Sequence, residues 1–480
     1  MFIHCYVSGR QAEQANHFGT VEIDIMNFWK TLVVFCICAL LAAPATGLAA
    51  EPASVLDTIN ATLKHHKALK VIQENRDVIV HELRAAKAGW GPRVEAEGRA
   101  GFSQMSNTTT RALNADTGFY AASSIGVTLI QPLWDGFATR SRVRNAQSTL
   151  DSMTNRVFDN ATTLSLDGII AHIDILRRRE ILRLTELHVA RHQEILANAQ
   201  ERQISGADTV ADVTQTQARL SRAMSTLAET KASMRQGEEA YRRVTGQTPP
   251  EAMEDVPMPA RAFAGPDPVV LEAKQTNPKI LAYLDDVKAA RGNQELTRAN
   301  YHPTINLEIG PSYTDRSGAG DQWTKSFEIM GTMRWNLFNS GADVASERAA
   351  TSRVRMARQT LYNLLDDLSQ QIEDSWTDLI SAKEQFSNYS DAIGFNTATR
   401  DAYIEQFVAG QRSLLDVLDA ESELYNSSTQ AVTANGNILV ASYRLLALAG
   451  VLLPDMNVDT TNLYEAPKDP SMPEGENPFD

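Results

Sequence analysis

The sequence predicts an α+β fold in which one unit, very long helices flanking a β-hairpin, is built twice. Three observations carry this reading. First, a turn signature recurs. Gly206 opens Gly-Ala-Asp-Thr-Val-Ala-Asp-Val and Gly410 opens Gly-Gln-Arg-Ser-Leu-Leu-Asp-Val, an offset of 204. Gly126 to Gly136 matches Gly331 to Gly341 at 205, and Pro92 matches Pro303 at 211. Second, proline is absent between Pro132 and Pro249 and again between Pro311 and Pro454. Third, four segments alternate apolar and polar residues with period two. The 480 residues therefore read as two halves of one body: residues 51–247 and 271–453, joined by 248–270.

The chain opens on a targeting segment. Met26 to Lys30 is a short basic start, Leu32 to Ala43 is an apolar run of 12 residues, and cleavage is expected after Ala49 or Ala50. Met26 reads as the start of translation, with residues 1–25 an upstream extension and 26–50 a signal peptide. Cys5, Cys36 and Cys38 are the only cysteines and all fall before residue 51, so the mature chain needs no disulfide. Neither Cys36 nor Cys38 follows the small residue that a lipid anchor requires.

A proline-free stretch rich in Ala, Leu, Glu, Gln and Arg reads as long helix. Residues 137–205 as one helix would extend about 100 Å at 1.5 Å per residue. After each Gly signature an apolar residue returns every seventh position: Val213, Leu220, Leu227, Met234 and Tyr241, then Val417, Leu424, Ala431, Ile438 and Leu445. That period predicts coiled-coil packing; a buried stripe in an ordinary bundle is the plainer reading. Ile438 to Leu453 is the nearest approach to a membrane helix, and Ser442 and Arg444 interrupt it.

The alternating segments predict strands. Residues 93–103 set Arg93, Glu95, Glu97 and Arg99 against Val94, Ala96, Ala100 and Phe102. Residues 304–313 set Glu308 and its polar neighbours against Ile305, Leu307, Ile309 and Tyr313. Residues 123–133 and 325–337 follow, the last placing Glu328 and Arg334 opposite Phe327, Ile329 and Met333. Polar loops, 104–119 and 314–324, close one hairpin per half. The apolar faces fit either a soluble core or lipid, with the charged faces towards a water-filled lumen in the second case. Trp90 and Tyr301 precede the first strands, and Trp134 and Phe338 follow the second ones. Aromatics at these corners favour a membrane interface. A spanning sheet tolerates no free edge, and four strands cannot close, since about eight is the practical minimum. Several copies must then share one barrel; three would supply 12 strands.

The motifs in order resemble the TolC family of outer-membrane channel proteins over nearly all of the mature sequence. Gln131-Pro-Leu-Trp-Asp-Gly136 and Asn336-Leu-Phe-Asn-Ser-Gly341 are similar to its strand-to-helix corners. Asn277-Pro278 is similar to its opening helix, with His66-Lys67 at the equivalent place in the first half. Glu405 to Ala420 is close to its second-repeat signature. The resemblance implies an α+β membrane protein: a long-helix α-barrel with four strands per chain contributing to a trimeric 12-stranded β-barrel. It implies a homotrimeric exit duct for type I secretion or multidrug efflux, resting in outer-membrane lipid and reaching across the periplasm. Its partners would be a periplasmic adaptor and an inner-membrane ABC or proton-driven pump. No cofactor is implied. Residues 248–270 would belt the tube, and the acidic, Pro-rich tail 454–480 is expected to be disordered. The missing lipidation cysteine favours the secretion branch.

Asp416 and Asp419 share a helix face. They read as a solvated acidic surface or, by the resemblance, as the lining of a constricted entrance, where three chains would focus six carboxylates. By the same resemblance Arg412 belongs to the bonds that hold the entrance shut, with Asp212 as candidate acceptor. The sequence departs from the family's pattern at Phe407, where a tyrosine commonly sits, and at Ala211, which offers no side-chain partner.

His188 and His192 have a metal-compatible spacing on a predicted helix, but no third ligand is recognisable nearby. Nucleophile-elbow, zinc-protease and phosphate-loop signatures are all absent, so nothing marks an enzyme. A net charge of −14 with no basic run argues against nucleic acid. The rival reading is a soluble periplasmic coiled-coil adaptor or scaffold; an adaptor would need a lipoyl-like β module, and none is recognisable in the sequence.

Overall fold

The computed structural model describes residues 52–463 apart from 113, 115, 207, 208 and 318–321. The expected start, signal peptide and cysteines, and residues 464–480, lie outside the described residues. The first repeat runs α1 (Val55–His65), α2 (Lys67–Ala88), β1 (Arg93–Ser103), α3 (Thr108–Ala112), β2 (Tyr120–Trp134), α4 (Ala138–Ile204) and α5 (Val210–Thr245). The second runs α6 (Pro266–Thr276), α7 (Pro278–Arg298), β3 (Thr304–Ser317), β4 (Gln322–Arg334), α8 (Ala342–Val408) and α9 (Leu414–Ala449), followed by α10 (Leu452–Asp455). The copies agree in length: α4 and α8 have 67 residues each, α5 and α9 have 36 each. The heptad positions of α5 and α9 are all buried or half-buried.

Each repeat opens on a helix broken at the same point. Asn277 has φ −69, ψ 117, and its side chain accepts from the Lys279 and Ile280 N–H groups. His66 holds nearly the same backbone, φ −73, ψ 113, with no side-chain cap. The break survives in the first repeat although its capping residue has changed.

The strand-to-helix corners correct the sequence alignment by one residue. Gly136 and Phe137 both take positive φ (65 and 69), and so do Ser340 and Gly341 (47 and 80). The Ala138 N–H donates to the Asp135 carbonyl and the Ala342 N–H to the Asn339 carbonyl. Gly136 therefore corresponds to Ser340 and Phe137 to Gly341, at the same offset of 204 as the turn signature. The Gly136–Gly341 match at 205 is one residue out of phase.

The strands form one antiparallel sheet in the order β1-β2-β3-β4. Residues 314–317 and 322–324, expected as loop, belong to β3 and β4, while Trp335 to Leu337 fall beyond β4. In the β2–β3 ladder Gly126 pairs with Ser312 and Leu129 with Ile309, leaving Gly310 and Pro311 outside the paired positions. Pro311 has no N–H to give. A Cβ on Gly310 would stand 2.0 Å from the Val127 carbonyl oxygen, so only glycine permits the approach.

The largest apolar cluster joins α1, α4, α6, α8 and α9 around Ile59, Ile169, Val269, Ile372 and Leu446. Residues 248–265 lie across these helices with few backbone bonds of their own. The Arg179 guanidinium donates to the carbonyls of Pro250 (2.5 Å) and Glu251 (2.9 Å), and the Tyr443 hydroxyl donates to that of Pro257 (2.8 Å). Side chains thus satisfy carbonyls that a Pro-rich segment cannot pair internally. The disorder expected from Pro454 does not hold for residues 454–463. Val458 and Leu463 are buried in the main cluster, and Asp455 pairs with Arg261 at 2.8 Å.

Candidate functional site

Two regions carry the candidate residues: the sheet, and the helix ends some 100 Å away along α4 and α8. Register places all seven charged strand residues expected to face a lumen on one face, while Asp315 and Lys325, near the far end of the second hairpin, fall on the other. Glu95 stands opposite Thr128, Glu97 opposite Gly126 and Arg99 opposite Ser124; these in turn adjoin Ser312 and Thr314 of β3. On β4 the same face carries Glu328, Thr332 and Arg334, opposite Gly310, Asn306 and Thr304. Arg93, Glu95, Glu97, Arg99, Glu308, Glu328 and Arg334 thus share one polar face. Five of these charges have partners: Arg93 pairs with Glu95 at 2.9 Å and Arg99 with Glu97 at 2.5 Å, while Glu308 accepts from Thr332 at 2.8 Å. The other face presents Val94, Phe102, Ile125, Phe327, Ile329 and Met333, all exposed. Trp90, Trp134, Tyr301 and Phe338 sit exposed at the helix-side margin. Phe137 and Trp335 join them. Phe137 meets the Trp134 ring edge-on at 4.6 Å, and the Trp335 indole N–H donates to the Tyr301 carbonyl. Sequence reading passed over both, because Phe137 lies past the corner and Trp335 reads as strand.

At the far end, the turn signature is a capping device. Gly206 and Gly410 take φ 80 and 72 and end α4 and α8. Thr209 and Ser413 cap α5 and α9 by accepting from the Asp212 and Asp416 N–H groups. The Asp212 carboxylate accepts from the Thr209 hydroxyl (2.6 Å) and N–H (3.0 Å), bonds that hold its pKa below the usual carboxylate value. Asp212 therefore serves its own helix, and within the chain it does not receive Arg412. The Arg412 guanidinium lies 4.1 Å from the Tyr403 ring centroid, 3.3 Å from Gln406 Oε1 and 3.6 Å from Asp416. The link between repeats is a different pair, Arg219 of α5 with Asp419 of α9 at 2.8 Å. No sequence signal marks it, since the two residues lie 200 apart in different repeats.

Phe407 is half-buried, packed on Ala199, Leu414 and Leu418 with the Arg202 guanidinium 4.5 Å above its ring. An apolar side chain of this size stabilises by about 1.5–3 kcal/mol when buried, against at most about 1 kcal/mol for an exposed ion pair. The apolar cluster is thus the larger force joining the ends of α4, α8 and α9. Beside it lies a groove of about 400 Å³, floored by Ile195, Phe407, Leu414 and Val417 and rimmed by charges including Glu201 and Arg400.

No group of three or more metal-type side chains comes together among the described residues. The His188 and His192 rings meet edge-on at 4.3 Å, and His188 stacks on Tyr425 of α9 at 4.4 Å. Burial pushes His188 down to about 4, and the neighbouring His192 adds to the shift.

Comparison with known proteins fits this architecture. The family model for outer membrane efflux proteins matches residues 58–247 and 269–451. The outer membrane efflux protein BepC of Brucella suis is 26% identical over 88% of this chain and 92% of its own. The alkaline protease secretion protein AprF of Pseudomonas aeruginosa is 24% identical over 73% of this chain and 74% of its own. Among solved structures, CusC superposes with a TM-score of 0.71 at 17% identity over 82% of this chain and 92% of its own. VceC of Vibrio cholerae does so with 0.70 at 16% over 82% and 96%. The model match spans both copies of the break, hairpin, corner and capped turn, and the chain belongs to the outer membrane efflux protein family.

Proposed function

We propose that three copies of this chain form an exit duct through the outer membrane and across the periplasm, for type I protein secretion or drug efflux. The observation that carries the trimer is the sheet. Its apolar face is exposed, its opposite face is polar, and β1 and β4 are left as free edges. In hydrocarbon those edges must pair, and three four-stranded sheets closing edge to edge give 12 strands around a polar lumen. A soluble scaffold would leave the same apolar face in water.

At the far end, Asp416 and Asp419 of three chains would ring the entrance and favour cations. Arg412, Arg219 and the Phe407 cluster would hold it narrow. The groove between the ends of α4 and α8 is the surface offered to a periplasmic adaptor, which would couple the duct to an inner-membrane pump. Cell fractionation tests the reading: the mature chain is expected in the outer membrane as an oligomer. Recovery in the soluble periplasm would contradict it. In planar bilayers, Asp416→Asn with Asp419→Asn is expected to lower cation selectivity, and unchanged selectivity would remove the entrance role.

A further inference from the structure

We infer that the second strand-to-helix corner of one copy, Asn339 to Gly341, docks on the end of α2 of the next copy, with Ser340 against Gly91. The inference rests on the trimeric reading and assigns a contact within it. The chain contains its own template. The first corner is docked inside the chain: Gly136 is buried against the end of α7, where a Cβ on it would lie 2.7 Å from His302 Cβ and 2.9 Å from the Ala299 oxygen. The second corner is not docked. A Cβ on Gly341 would meet nothing within 4 Å, and the adjoining Leu337 and Phe338 are 78% and 83% exposed.

The end of α2 is the vacant counterpart of the end of α7. At the offset of 211, Ala88 corresponds to Ala299 and Gly91 to His302. The backbone confirms the match: the Gly91 N–H donates to Ala88 and the His302 N–H donates to Ala299, at 2.9 and 3.0 Å. At the end of α2 lies an open cavity of about 480 Å³ bounded by Gly89, Trp90, Leu133, Trp134 and Phe137. Within the chain α2 and α8 do not pack along each other, whereas α4 and α7 do.

Size exchange between the copies supports this partner. In the docked junction a glycine, Gly136, faces a large residue, His302. In the undocked one the corner carries Ser340 and the facing position carries Gly91, so the side chain has moved across the contact. A second pair behaves alike: a Cβ on Gly292 would stand 3.0 Å from the Asn145 backbone, and the equivalent residues are His81 and Ala349. Close packing makes such exchanges meaningful, because a site filled from one side has no room to be filled from the other. The ion pair Arg144–Glu295 does not carry over, since its equivalents Arg348 and Arg84 are both cationic. Shape rather than charge must hold this junction.

Cysteine pairs test the contact in the full-length protein in outer membranes. Gly91→Cys with Ser340→Cys would bring two Cβ atoms within the roughly 3.5–4.5 Å that a disulfide needs. His81→Cys with Ala349→Cys probes the second exchange and guards against misfolding of the first pair. Oxidation is expected to give reductant-sensitive species of two and three chains, with none from the single variants. If the variants extract as trimers and neither pair links chains, or a link forms only within one chain, the docking is overturned. If the wild-type chain itself does not extract as a trimer, the assembly reading beneath it falls instead.

Discussion

Phe407 and Arg412 lie five residues apart and do different work. Phe407 contributes to the apolar cluster that joins α4, α8 and α9. Arg412 lies over Tyr403 and near Asp416 at the surface. Phe407→Ala is therefore expected to destabilise the far end by about 2–3 kcal/mol, allowing for partial exposure, and Arg412→Ala by less than about 1 kcal/mol. Hydrogen exchange across residues 195–205 and 407–420 reads the difference; equal effects would contradict it. For the channel, Arg219→Ala is expected to raise single-channel conductance more than Arg412→Ala, because Arg219 bridges the repeats. The histidine pair adds a pH dependence. His188 and His192 are 8% and 1% exposed, and His188 Nδ1 has no partner. They face Tyr425 and Glu421 from α9 and Arg219 from α5. A base whose pKa is lowered by folding is stabilising while neutral. That stability is complete above the unfolded value of 6.5 and is lost as pH falls towards about 4. The loss is on the order of 3 kcal/mol at most. Thermal unfolding should therefore fall more steeply between pH 6.5 and 4 in the wild type than in His188→Phe; parallel curves would rule the pair out.

Among the elements, the breaks and close approaches give the sharpest expectations. His66 already holds the backbone of Asn277, so His66→Asn should supply the missing cap and stabilise by about 1 kcal/mol in thermal unfolding. Gly310→Ala drives a Cβ into the Val127 carbonyl at 2.0 Å and is expected to abolish outer-membrane assembly; normal yield of assembled protein would contradict the close β2–β3 approach. The bounds of α4 are legible in the sequence to one residue, because proline and glycine mark both ends and nothing between them breaks a helix. The polar strand face is equally legible, since period two survives wherever one side meets a different solvent. The corner phase is not, because the left-handed role spans two consecutive residues and glycine fills the first in one repeat and the second in the other. The loop limits of the second hairpin blur for a related reason: residues 314–317 and 322–324 are mostly polar, yet pair as strand. Partners such as Arg219 and Asp419 stay hidden because packing, not spacing, brings them together.

At the scale of the whole molecule, duplication explains why one chain looks unfinished. Each chain contains one junction between repeats, α4 on α7 and β2 on β3, and exposes the two halves of another. Closing three chains satisfies every such junction with one kind of contact, and the polar strand faces then enclose a single lumen. In the closed assembly the free edges of the sheet, β4 of one copy and β1 of the next, are expected to complete a shared barrel. Electron cryo-microscopy of the full-length protein in lipid nanodiscs tests it most directly. The expected particle has three chains around one closed 12-stranded barrel, with Ser340 of each copy beside Gly91 of the next. A particle of any other copy number, or one in which β1 and β4 remain unpaired, would contradict it.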